Sequence, residues 1–180
     1  MKAIYTIALA ALVVLVFAVG GAGAQEMKEK TIKEQIVGTW RVLSAVNEMD
    51  DRKTEFFGPS PKGQFMFTAD GHFSNNIIRP GRPKFASNNR ATGTAEENKE
   101  AVVGNISTFG DYMINSDGSI SLEVLGSSFP NWDETKQKRL VEIKGDDMKW
   151  TNPTASTGGT AVITLQRAKS GERYPQRDEK

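Results

Sequence analysis

The chain has 180 residues, with 23 Lys and Arg against 22 Asp and Glu, one histidine and no cysteine. So near-neutral a charge excludes a general electrostatic affinity for nucleic acid or an anionic membrane. The absence of cysteine excludes disulfides, a cysteine nucleophile, a lipid-bearing cysteine and any zinc centre built on Cys and His, so the fold must stand on its core alone.

Residues 1–24 read as an export signal. Lys2 supplies a positive start, an apolar run extends from Ile7 to Val19, and Ala22-Gly23-Ala24 gives the small-x-small pattern that precedes cleavage, here before Gln25. The alternative is an uncleaved anchor, but the apolar run falls short of the roughly 20 residues a spanning helix needs. The expectation is therefore a mature protein without an integral membrane segment, periplasmic or secreted. Cleavage removes Lys2 and leaves basic and acidic side chains equal in number. Residues 25–35 form a polar lead-in, in which Thr31 followed by Glu34 fits a capping box for one or two helical turns.

From Thr39 onward short apolar runs alternate with turn signals, a spacing that suits an antiparallel meander better than βαβ units. Expected strands cover residues 40–46, 64–68, 73–79, 106–114, 119–125, 138–143, 148–151 and 161–167. Gly-containing turns at Asp70-Gly71, Asp117-Gly118 and Gly145-Asp146 join three of the hairpins. Residues 47–60 read as a polar connection that ends in Gly58-Pro59-Ser60-Pro61, where the prolines forbid regular pairing. Residues 80–105 interrupt the meander: a loop comes first, then a second Thr-x-x-Glu capping box at Thr94 opens a short helix that Gly104 ends. So long a connection is usually functional or a lid. Residues 169–180 are charged and are expected to be a disordered tail. The fold class is thus all-β, an eight-stranded antiparallel up-and-down β-barrel with one short helix between the third and fourth strands.

Barrel closure brings the first and last strands together. Gly38 lets the backbone bend while Trp40 swings under the sheet, and Arg167 could lie over the indole as a cation–π lid. The plainer alternative is a core tryptophan beside a surface arginine.

Several motifs, taken in order, resemble the bacterial and fungal lipocalin-like domain family. They are Val37-Gly38-Thr39-Trp40, Phe57-Gly58-Pro59-Ser60-Pro61-Lys62-Gly63-Gln64, Thr68-Ala69-Asp70-Gly71, Phe109-Gly110-Asp111-Tyr112, Ser128-Phe129-Pro130-Asn131-Trp132 and Leu165-Gln166-Arg167. The likeness runs from Gln35 to Ala168, and the domain is bounded at residues 36–168. It implies a calycin-type barrel with an internal cavity and does not imply an activity.

Catalytic machinery is thin. His72 sits at a hairpin tip, Asp146-Asp147 lies in a turn, and Glu96-Glu97 occupies the first turn of a helix, where the dipole stabilises anions. No catalytic residue, metal ligand or cofactor is assigned. The better candidates are residues a barrel could turn inward. Phe65 and Phe67 share a strand face; Asn75 and Arg79 share one on the third strand, which suits the polar head of an amphiphile; Tyr112 offers a ring and a hydroxyl. Each has a structural alternative, as core side chains for the aromatics, a strand bend for Asn75 and a solvated strand end for Arg79. Two functions follow. One is an exported protein that binds or carries a small apolar or amphipathic molecule; the other is a cofactor-free isomerase or cyclase that acts by positioning its substrate. A filled barrel used in a protein contact is a third. Ligand identity and oligomeric state are left open.

Overall fold

A computed structural model describes residues 31–171. The expected export signal, most of the lead-in and most of the charged tail lie outside the described residues.

The first element, helix α1 (Ile32–Ile36), starts from the capping box read in the sequence. Thr31 Oγ1 accepts a hydrogen bond from the Glu34 N–H at 3.4 Å, and Glu34 Oε2 accepts one from the Thr31 N–H at 2.8 Å. After it come strands β1 (Gly38–Met49), β2 (Arg52–Thr54), β3 (Lys62–Phe67) and β4 (His72–Ile78), then helix α2 (Ala95–Val103). The second half contains β5 (Asn105–Ile114), β6 (Ile120–Ser127), a 3₁₀ turn (Pro130–Trp132), β7 (Thr135–Lys144), β8 (Asp147–Asn152) and β9 (Thr160–Arg167).

Strands β1 and β3 to β9 pair antiparallel in chain order, and β9 returns to β1, so the sheet closes on itself. Closure leaves none of the eight barrel strands as an open edge that would invite aggregation. The inward positions alternate as a barrel requires: Phe73, Asn75 and Ile77 on β4; Ile120, Leu122 and Val124 on β6; Met148, Trp150 and Asn152 on β8 are all buried.

One strand was not expected. Arg52–Thr54, inside the connection read as polar loop, folds back on the end of β1, with Asn47 opposite Thr54 and Met49 opposite Arg52. The turn between them puts Asp50 and Asp51 at φ of 48° and 60°, a left-handed pair that Asp tolerates better than most residues. A 2.7 Å ion pair between Lys53 and Glu48 spans this hairpin in solvent. The helix expected between the third and fourth strands accordingly lies between β4 and β5. It occupies the anticipated stretch of sequence, but β2 precedes it and shifts the count.

The two ends of the barrel differ. At one end the start of β1 faces the end of β9, the hairpin turns are tight, and α1 packs beside them. There Trp40 is fully buried, and its indole Nε1 donates to the Ile36 carbonyl at 2.7 Å. Trp40 stands opposite Arg167 in the β1–β9 register, and the guanidinium carbon lies 4.1 Å from the indole ring centroid. The same guanidinium donates to the carbonyls of Val37 at 3.0 Å and Gln35 at 2.5 Å, and its Nε is 3.3 Å from an Asp146 carboxylate oxygen. Gly38 sets the backbone turn beside this lid. Its φ of 125° is one that residues with side chains rarely adopt, which lets the backbone turn beside Arg167. Phe67 packs edge-on against Tyr112 at 5.3 Å and tilted against Trp150 at 5.6 Å, which fills the barrel just above this end.

Candidate functional site

At the opposite end the connections are long and the barrel is not filled. A cavity of about 300 Å³ opens there, at the lower end of the range for small-molecule sites. Its inner wall comes from alternate residues of the strands, among them Phe65, Ile77, Leu122, Val124 and Trp150. Phe65 and Trp150 meet edge-to-face at 5.5 Å. The rim is apolar as well, formed by Phe56 and Phe57 from the β2–β3 connection, Val102 and Val103 from α2, and Phe129 and Trp132 around the 3₁₀ turn. Phe129 and Trp132 stack edge-on at 5.8 Å, so the Ser128–Trp132 segment is an ordered part of the mouth.

Helix α2 is held across the mouth by its own sequence. Thr94 and Glu97 form its capping box, with the Thr94 N–H donating to Glu97 Oε2 at 2.8 Å. Glu97 also accepts from the Ala86 N–H at 2.8 Å, and these backbone bonds, that of Ala86 first, hold its carboxyl below the usual range. Glu100 pairs with Arg79 at 2.6 Å, and the Arg79 N–H donates to the Gly104 carbonyl at 2.8 Å. Both ends of the helix's last turn are thereby tied to the end of β4.

Polar side chains interrupt the apolar wall. Asn75, Thr108, Arg139 and Asn152 are all buried and all face the cavity, and Asn75 lies opposite Thr108 across β4 and β5. Arg139 is 5 % exposed and is the sole charged residue lining the cavity among the described residues. Its Nη1 donates to the Lys138 carbonyl at 2.8 Å and its Nη2 to the Gln137 side-chain oxygen. Gln137 in turn donates to Thr135 Oγ1 at 2.9 Å, which donates to the Trp132 carbonyl at 2.7 Å. The guanidinium carbon stands 5.8 Å from the Trp132 ring centroid. Burial pushes the Arg139 guanidinium down to about 10, which leaves it protonated at neutral pH. Two buried amide oxygens, Asn75 Oδ1 and Asn47 Oδ1, have no hydrogen-bond partner among the described residues, and both residues line the cavity.

Of the residues singled out from the sequence, Phe65 and Asn75 line the cavity, while Phe67, Tyr112 and Arg79 do not. Phe67 lies one pleat nearer the closed end. The Tyr112 hydroxyl donates to the Thr68 carbonyl at 2.8 Å, which engages it at the closed end of the barrel. Burial first, and then the Asp70 charge, raise the tyrosine's pKa. Arg79 lies just past the end of β4, paired with Glu100. The single histidine is exposed, and its Nδ1 lies 2.5 Å from an Asp111 carboxylate oxygen at the end away from the cavity.

Arg139 was missed. Its neighbours Lys136, Lys138 and Leu140 are exposed, so the run looks like a solvated basic face, yet Val141 and Ile143 share its parity on β7 and point inward. That alternation carried the signal.

Residues 37–168 match the model of the lipocalin-like domain family. The chain belongs to that family. A relative from Aspergillus oryzae, named 4'-hydroxy-3'-methoxypropiophenone carrier protein ppsC, is 32 % identical over 94 residues, which cover 47 % of this lipocalin-like chain and 85 % of the relative.

Proposed function

We propose that this lipocalin-like protein binds and carries a small, largely apolar molecule in the cavity between α2, the Ser128–Trp132 segment and the strand interiors. The observation that carries the reading is the cavity itself. It occupies about 300 Å³ in a barrel that is tightly filled at its other end, it is walled by aromatic and aliphatic side chains, and it opens at the rim. The fungal relative's description as a carrier of an aryl ketone supports the same class of function. We propose further that the protein works outside the cytoplasm, on the strength of the apolar run and the small-residue pattern in residues 1–24.

Two measurements test this. Titration of N-phenyl-1-naphthylamine, a neutral apolar fluorophore, should give saturable binding with about one site per chain. Absence of saturation would leave an unoccupied cleft with no carrier role. Trp132 and Trp150 line the cavity, so quenching of tryptophan emission should track the same isotherm. For export, N-terminal sequencing of protein from the cell envelope should begin at Gln25; an intact Met1 in the membrane fraction would contradict it.

A further inference from the structure

We infer that the molecule bound in this cavity is an aromatic acid that also bears a hydroxyl group, with its carboxylate on Arg139 and its hydroxyl on Asn75. The inference rests on the carrier reading above and specifies the ligand of the same site.

The first observation is an uncompensated buried cation. A charge taken out of water is costly unless it is paired and hydrogen-bonded. Arg139 is 5 % exposed, and no carboxylate pairs with it among the described residues. Its two hydrogen bonds go to neutral oxygens, those of Lys138 and Gln137. A guanidinium carries five N–H donors in a planar fork, so most of the fork has no acceptor among the described residues. Those two bonds and the Trp132 ring hold the group against the cavity wall. An arginine fixed in this way and left without its counter-charge matches the bidentate recognition of a carboxylate. A neutral carbonyl would supply a hydrogen bond but would not balance the charge.

The second observation is independent of charge. Asn75 is 8 % exposed and lines the cavity, yet its Oδ1 is buried without a donor among the described residues. A buried amide oxygen left unsatisfied costs about as much as a lost hydrogen bond. Across the sheet it faces Thr108, which forms no hydrogen bond with it. What is missing is a donor, and an apolar ligand can bring one as a hydroxyl. Asn47 Oδ1 presents a second such acceptor nearer the rim, oriented by its Nδ2, which donates to the Gly158 carbonyl at 2.9 Å.

The third observation sets the body of the ligand. Phe65 and Trp150 form an edge-to-face pair in the inner wall, and Phe129 and Trp132 form another at the rim. Such walls favour a flat ring over a flexible chain, and the cavity's volume, at the lower end for small-molecule sites, suits a compact ligand.

The test is a square of four probes titrated by calorimetry at pH 7: 4-hydroxycinnamate, cinnamate and the methyl ester of each. Wild type should bind each acid on the order of ten- to a hundredfold more tightly than its ester, the range of a charge-assisted hydrogen bond. The ring hydroxyl should add roughly two- to tenfold. Arg139→Met should erase the acid-over-ester ratio, and Asn75→Leu should erase the hydroxyl increment while leaving the acid preference. Arg139→Lys, which keeps the charge and loses the fork, should retain part of the ratio and guards against misreading an unfolded variant. The comparison within wild type needs no variant at all. If the esters bind as tightly as the acids in wild type, or if Arg139→Met weakens acid and ester equally, the inference fails. Saturable binding of methyl cinnamate in that case would leave the carrier reading standing. Binding of neither the four probes nor N-phenyl-1-naphthylamine would overturn both.

Discussion

Replacing Arg167 by methionine should open the sealed end of the barrel, and the size of the effect can be worked from its contacts. The cation–π contact at 4.1 Å contributes roughly 0.5–2 kcal/mol. The bonds to the Val37 and Gln35 carbonyls are charge-assisted, a class worth about 1.5–3 kcal/mol each when shielded, but the side chain is 29 % exposed and water can partly replace it. The Asp146 partner is well exposed, so that pair adds less than about 1 kcal/mol. Methionine keeps much of the stem's packing, so the expected loss is about 2–4 kcal/mol. At this chain length that is a fall of about 4–16 °C in melting temperature. Urea unfolding of wild type, Arg167→Met, Trp40→Leu and the double variant gives the interaction term directly. The two residues touch, so their losses should fail to add by about 0.5–2 kcal/mol. Arg167→Lys should recover only part of the loss, since an ammonium cannot cover the ring and reach both carbonyls. Strict additivity, with unchanged denaturant slopes, would refute the idea that the guanidinium and the indole hold this end as a unit.

Glu100→Gln should release α2 from Arg79 and speed the escape of N-phenyl-1-naphthylamine severalfold in stopped-flow displacement; an unchanged rate would mean that the helix does not gate the mouth. Tyr112→Phe should cost about 0.5–1.5 kcal/mol through the lost bond to Thr68, with probe affinity unchanged by titration because the ring lies outside the cavity. The Asp117 carboxylate is held well below the usual range, chiefly by its hydrogen bond from Lys138 and then by those from Ser119. A carboxyl depressed in the folded state contributes stability that is present above its ordinary value of 3.8 and fades as the pH falls below it. The difference in melting temperature between wild type and Asp117→Asn should therefore shrink on acidification from pH 6 to pH 2, and a difference that grows would contradict the assignment.

The barrel was readable because burial on one face of an antiparallel strand forces period-two alternation, and the Asp-Gly and Gly-Asp turns marked the hairpins. The short strand β2 was not, because its turn uses Asp50 and Asp51 in left-handed conformations without a glycine to announce them. The capping boxes at Thr31 and Thr94 were local signals and appear as local structure. The site was less legible. Asn75 and Phe65 could be placed by parity, but the fate of Arg79 depends on Glu100, a partner 21 residues away on a helix whose docking no local pattern specifies. Tyr112 is likewise decided by a carbonyl 44 residues earlier. Arg139 was hidden by composition: three basic residues within four positions suggest a solvated surface, and only the parity of Val141 and Ile143 points the other way.

The pairing of β1 with β9 also governs when this chain can fold. Ser44 and Thr164, whose hydroxyls meet at 2.6 Å across that seam, are 120 residues apart in sequence. Contacts of such separation must repay a large loop-closure cost before they reward the chain, so the ring closes late and slowly. A ribosome-bound chain that lacks residues beyond 159 has no β9, and it would expose two unpaired edges, on β1 and β8, with the inward apolar rows beside them. Under the export proposed above, that delay is an advantage, because a chain still lacking its last strand stays open to translocation. A protease cut that removes residues beyond 159 recreates that open form, since losing the final strand of the domain reopens the ring along β1 and β8.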